Sequence, residues 1–172
     1  MKLPVVALLM AMAVASTSAL AGPQKKDYLT DDEADKIRDA FTHAERIKLY
    51  MAFADDRLKR FDDELHRKTD DRRRFEVLNG LLNGYAGCVD DAADQIDLAR
   101  EKQQDVREAL KLAKSKEEEF LMALEAYDKN GLDLDSYKDT LDDAIEATKD
   151  ALSDIGDAEK ENPGPPVRRK PS

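Results

Sequence analysis

The sequence is poor in the residues that β-sheet folds and disulfide-rich folds depend on. It has no tryptophan, one cysteine and seven glycines in 172 residues, and aromatic residues make up 6% of it. A single cysteine excludes an intramolecular disulfide framework and a cysteine-rich zinc site. The scarcity of glycine and aromatic residues disfavours a β-sandwich or an α/β enzyme. Charged residues, in contrast, make up 38% of the chain, which is typical of long helices and coiled coils.

Acidic residues outnumber basic residues by 38 to 28, so the formal net charge is -10. Nucleic-acid binding requires a basic face that neutralises phosphates, and we therefore expect no nucleic-acid partner. The sequence also contains no glycine-rich phosphate loop, nucleophile elbow or zinc-protease motif. We accordingly predict a protein that is not an enzyme and that uses no cofactor or metal.

The long hydrophobic run of this sequence lies in its first 21 residues. Lys2 precedes an uncharged apolar run, and Ala19-Leu20-Ala21 matches the small-residue rule for signal peptidase. This pattern predicts a signal peptide over residues 1–21, cleaved before Gly22, and export to the periplasm or out of the cell. An uncleaved membrane anchor is the alternative. After cleavage we expect no stable membrane insertion.

The remainder of the chain divides into three predicted segments. Residues 22–30 form a flexible leader, and Thr30 and Glu33 have the spacing of a capping box, which marks the start of a helix. A helical domain follows over residues 31–160. Residues 161–172 are rich in proline and basic residues, which predicts a disordered tail.

Apolar residues recur through the helical domain at steps of three and four, as in coiled coils. The longest such pattern covers residues 75–127, and only two of its sixteen positions are polar, Gln103 and Glu117. No proline interrupts the pattern, and Gly131 provides a C-terminal capping signal. We therefore predict one continuous helix over about residues 71–129, about 90 Å long.

Two shorter helices, over about residues 31–67 and 134–158, are predicted to flank this long helix. Short turns make consecutive helices antiparallel neighbours. The predicted fold is therefore all-α, with elongated antiparallel helical hairpins that resemble a coiled coil. The alternative is a compact four-helix bundle, in which the central helix breaks between Arg100 and Asp105.

Part of the helical domain has more apolar and small residues than a narrow coiled-coil stripe needs. Gly84 shares a helix face with Gly80 and Gly87, which indicates either a bend or the close approach of another segment. Cys88 is interpreted as an intermolecular disulfide, a reactive thiol or a small buried residue. We predict an exposed interaction surface formed by Leu49, Tyr50, Phe53, Leu81, Gly84 and Cys88. Packing of the same residues within one chain is the alternative.

These features predict a protein that acts through protein–protein contacts, as a scaffold, adaptor or chaperone-like protein. Its partner is another protein or a second copy of the same chain. The alternative function is the binding of divalent cations, because residues 133–161 contain eleven acidic and three basic residues. The turn over residues 128–139 does not match the ligand spacing of an EF-hand.

Overall fold

The computed structural model of the chain describes residues 28–68, 71 and 73–161. Regular structure within that part is entirely helical, so the predicted all-α class is confirmed. The predicted signal peptide and the tail beyond Glu161 lie outside the described residues. The helices are α1 (Asp31–Asp39), α2 (His43–His66), α3 (Arg74–Glu101), α4 (Arg107–Asn130) and α5 (Lys138–Glu161), with a 3-10 turn at Leu134–Ser136.

The four long helices, α2 to α5, form a bundle in which α2 and α5 each pack against both α3 and α4. Helices α2 and α3 are antiparallel. At one end of the bundle the Arg74 guanidinium donates to the Leu65 carbonyl oxygen at 2.5 Å, and at the other end His43 Nδ1 lies 2.9 Å from Gln95 Oε1.

Helices α3 and α5, in contrast, run parallel to each other. The Thr140 hydroxyl donates to Asn79 Oδ1 at 2.5 Å, and the Arg100 Nε–H donates to Glu161 Oε2 at 3.0 Å, far along both helices. Because α2 and α5 lie between them, α3 and α4 occupy opposite corners of the bundle although they are consecutive in the chain.

The continuous helix predicted over residues 71–129 is wrong, because the chain leaves the helix midway. Gln103 has a left-handed backbone conformation with φ of 52°. The Gln104 N–H donates to the Ala99 carbonyl oxygen, and the Gln103 N–H donates to that of Arg100, both at 2.9 Å. This pair of bonds is a Schellman motif, which ends a helix and satisfies its last carbonyl groups. Here a glutamine occupies the position that glycine usually takes.

A carboxylate then starts the next helix in a new direction. The Asp105 side chain accepts the backbone N–H of Arg107 at 3.2 Å and its guanidinium Nε–H at 2.9 Å. These bonds lower the pKa of Asp105 to about 2. The predicted continuous helix is therefore replaced by α3 and α4. The four-helix-bundle alternative, with its break between Arg100 and Asp105, agrees with the structure.

The first predicted helix is also divided, because a second capping box follows the first. The Glu45 N–H donates to Thr42 Oγ1 at 3.1 Å, and the Thr42 N–H donates to Glu45 Oε2 at 3.1 Å. Ala40 and Thr42 are both extended. The chain therefore bends between α1 and α2, and α1 folds back against the bundle.

The apolar faces of the bundle helices meet in one core, as the three-and-four spacing predicts. Near one end, the Phe61 ring packs edge-on against Tyr127 and Tyr137, with ring centroids 5.1 and 5.2 Å away. Two phenylalanines that follow the same apolar spacing are instead at the surface, since Phe41 is 95% exposed and Phe75 is 46% exposed. The buried positions of α3 include Leu78, Leu82, Tyr85, Val89, Ala92 and Ile96.

Candidate functional site

The segment that precedes α2 lies across α2 and α3, and we call residues 28–39 the strap. Tyr28 and Leu29 belong to the predicted flexible leader, but Leu29 is buried and Tyr28 packs against the core. The Tyr28 hydroxyl donates to Asp91 Oδ2. Burial raises the pKa of this hydroxyl well above its usual range, so it keeps the proton with which it binds Asp91.

One of the three aligned glycines, Gly87, makes room for the strap. A Cβ atom at Gly87 would lie 2.7 Å from the Tyr28 ring, and a Cβ atom at Gly84 would lie 3.5 Å from the Arg57 side chain. Gly80 has open space at the same position. The close approach of another segment, which the sequence left as one of two explanations, therefore accounts for Gly87. We call the surface formed by Arg57, Gly84, Gly87 and Asp91 the recess.

An ion pair fastens the strap to the other side of the recess. The Arg57 guanidinium donates to both carboxylate oxygens of Glu33, at 2.5 and 2.6 Å, and to the Tyr28 carbonyl oxygen at 3.1 Å. Only 5% of the Arg57 side chain and 12% of the Glu33 side chain are exposed. The bonds from Arg57 lower the pKa of Glu33 to about 2. Bidentate ion pairs of this kind fix the relative orientation of the two side chains and also stabilise the contact.

Five of the six residues that were predicted to form an exposed interaction surface are buried in the single chain. Its members lie on α2 and α3, around the recess and the core beneath it, so their apolar excess is covered within the chain. Leu49 is half-buried, whereas Tyr50, Phe53, Leu81, Gly84 and Cys88 are buried. Packing within one chain, which was the alternative, describes them. The binding of another protein by this region stays a prediction.

An apolar groove of about 570 Å³ opens where the strap meets α2. We call its apolar wall of Ala40, Phe41 and Leu49 the corner. The Phe41 ring is 95% exposed, and Lys36 and Lys48 stand beside it. Phe41 follows the apolar spacing of a continuous helix, and the repeated Thr-x-x-Glu pattern of the second capping box is the signal that could have predicted a bend at this residue.

A second buried polar cluster lies in the middle of the core. Glu117 is 1% exposed, and burial raises the pKa of its carboxyl group to about 8. The Thr148 hydroxyl donates to the Ala144 carbonyl oxygen at 2.7 Å. Thr148 therefore accepts the Tyr85 hydroxyl proton across their 2.7 Å contact. Glu117 Oε2 is buried in the same cluster and makes no hydrogen bond with the described residues.

Searches of protein-family models, curated proteins and solved structures found no match to this chain. Within the described residues, every helix is too short or too polar to cross a bilayer. The same part of the chain contains no group of three or more histidine, cysteine or acidic side chains arranged to hold a metal ion. The function is therefore inferred from the geometry of the strap and the corner.

Proposed function

We propose that this chain is an exported, non-enzymatic helical protein that acts through protein–protein contacts at the corner. The observation that carries the proposal is the nearly complete exposure of the Phe41 ring. Burying such a side chain stabilises a complex by about 1.5–3 kcal/mol. Export is part of the proposal because of the predicted signal peptide.

The backbone under Phe41 is held in place, which supports a binding role. Glu45 Oε2 accepts the N–H of Phe41 at 2.9 Å and that of Thr42 at 3.1 Å. Leu49 adds apolar surface one helical turn further along α2. An aromatic ring presented on a fixed backbone loses little conformational entropy on binding, and aromatic residues are frequent at the centres of interfaces.

Site-specific photo-crosslinking tests this proposal directly. Benzoylphenylalanine placed at position 41 in the exporting cell is expected to form a covalent adduct of defined mass. A matched probe at Met122, which is 67% exposed on α4, controls for general surface exposure. Leu49→Asp, on the other wall of the groove, is expected to abolish the position-41 adduct.

The mass of the adduct identifies the kind of partner. A product of twice the chain mass shows a second copy, and any other single mass shows a different protein. Equal adducts at positions 41 and 122, or adducts at position 41 that Leu49→Asp leaves unchanged, would contradict the proposal. Circular dichroism of each variant verifies that the bundle is intact.

A further inference from the structure

We propose that the partner of the corner is a second copy of this chain, and that two copies dimerise by exchanging straps. In that dimer the strap of each copy fills the recess of the other. The inference rests on the proposed function, because it names the partner that the corner contacts.

The occupant of the recess is defined by the strap that fills it in the single chain. The recess binds a tyrosine that reaches Asp91 and packs against Gly87, and a glutamate five residues later that pairs with Arg57. A second copy presents the same tyrosine and glutamate at the same spacing. Exchange therefore reproduces every contact between strap and recess.

Opening the bend between α1 and α2 breaks the Thr42–Glu45 capping bonds and replaces them with the backbone hydrogen bonds of a continuous helix. Residues 40–42 contain neither glycine nor proline, and Phe41 continues the apolar spacing from Ile37 to Ala44 and Ile47. Straightening the bend joins α1 and α2 into one helix, which is the helix that the sequence pattern alone predicts over residues 31–67. The bent form instead leaves Phe41 exposed.

The direction of the strap fits an end-to-end dimer. In the single chain the strap runs from the bundle end, at Ala40, inward to the recess beside Arg57. In the straight form it projects past that end, and a second bundle facing it across a two-fold axis receives it in the same inward direction. The two Phe41 residues then lie near the axis, so their rings become buried together.

The strength of the dimer follows from what differs between the two forms. The strap contacts contribute nothing to the free-energy difference between the two forms, because they are the same within and between copies. A short tether holds the strap at an effective concentration on the order of 1 mM. Burying one phenylalanine lowers the dissociation constant by a factor of roughly 10 to 100. Burying two rings therefore lowers the dissociation constant of the dimer from about the millimolar into the micromolar range.

Complementary variants test the exchange. Gly87→Leu blocks the recess and leaves the strap free, whereas Tyr28→Ala combined with Glu33→Ala disables the strap and leaves the recess open. An equimolar mixture is expected to give a heterodimer in native mass spectrometry, and each variant alone is expected to be monomeric. Gly80→Leu, at the open glycine, is the control for a leucine on that helix face.

The wild-type chain provides the second measurement. Sedimentation equilibrium from micromolar to millimolar concentration is expected to show a monomer–dimer equilibrium that Phe41→Ser weakens by roughly 10²- to 10⁴-fold. Met122→Ser is the control and is expected to leave the equilibrium unchanged. Helical variants that form no heterodimer, or a wild type that is monomeric throughout, overturn the exchange. A position-41 adduct with a different protein would then still support the corner as a contact surface.

Discussion

Replacing Glu117 with glutamine tests whether a neutral carboxyl group is built into the core. Burial raises the pKa of Glu117 from 4.5 to about 8, and the nearby Asp90 adds to this effect. Between these two pH values the folded chain keeps the proton that the unfolded chain releases. The free energy of unfolding therefore falls as the pH rises through this window.

The size of the effect follows from the two pKa values. The gap between 4.5 and about 8 corresponds to about 5 kcal/mol, because each tenfold change in proton affinity is worth about 1.4 kcal/mol. Glutamine has the shape of the neutral carboxyl group and does not ionise. We expect Glu117→Gln to match the wild type within about 1 kcal/mol at low pH, and to exceed its stability by up to about 5 kcal/mol above pH 8.

Urea unfolding followed by circular dichroism, repeated across this pH range, measures the difference. Glu118→Gln removes the same charge from the exposed neighbouring position and is expected to keep the pH dependence of the wild type. If the stabilities of the wild type and Glu117→Gln stay parallel over the whole window, then Glu117 is not a neutral buried group.

Three further changes test the strap, the glycine face and the core. Glu33 is bound by Arg57, which lowers its pKa from 4.5 to about 2, so the stability that this pair provides above pH 4.5 is lost as the pH falls to 2. Glu33→Gln should remove about 3 kcal/mol of this loss. An unchanged loss of stability at acid pH in urea unfolding would contradict the prediction. Gly80→Ala should raise the free energy of unfolding by about 1 kcal/mol, because its Cβ meets open space; destabilisation would show that the helix is bent or crowded there. Phe61→Ala should cost about 3–5 kcal/mol in chemical denaturation, because the ring is fully buried, and a loss below about 1 kcal/mol would place Phe61 outside the core.

The helical class and most core positions could be predicted from the sequence, because apolar spacing records which face of each helix is buried. The break between α3 and α4 could not, since the same spacing continues on both sides of it. Gln103 adopts a left-handed conformation that its residue type does not predict. The signal for the break was the polar side chain of Gln103 at a position where the spacing calls for an apolar residue. Asp105, placed to start a helix at Arg107, was a second signal.

At the recess, the sequence predicted that another segment approaches closely, but it did not predict which segment. The aligned glycines indicated a close approach, and Gly87 makes one with Tyr28. The identity of the approaching segment depends on tertiary packing across 59 residues of chain (87 − 28), which no local pattern records. The apolar surplus around Tyr50 and Cys88 is covered by the chain itself.

Thiol labelling of Cys88 most directly tests the central claim that the strap is closed over the recess. Cys88 is buried and lies near Tyr28 and Tyr50. We expect slow alkylation in the wild type and in Gly80→Ala, and markedly faster alkylation in Gly87→Ala, whose new methyl group displaces the Tyr28 ring. Equal rates in the two glycine variants, or a wild-type rate equal to that of the unfolded chain, would contradict a closed strap.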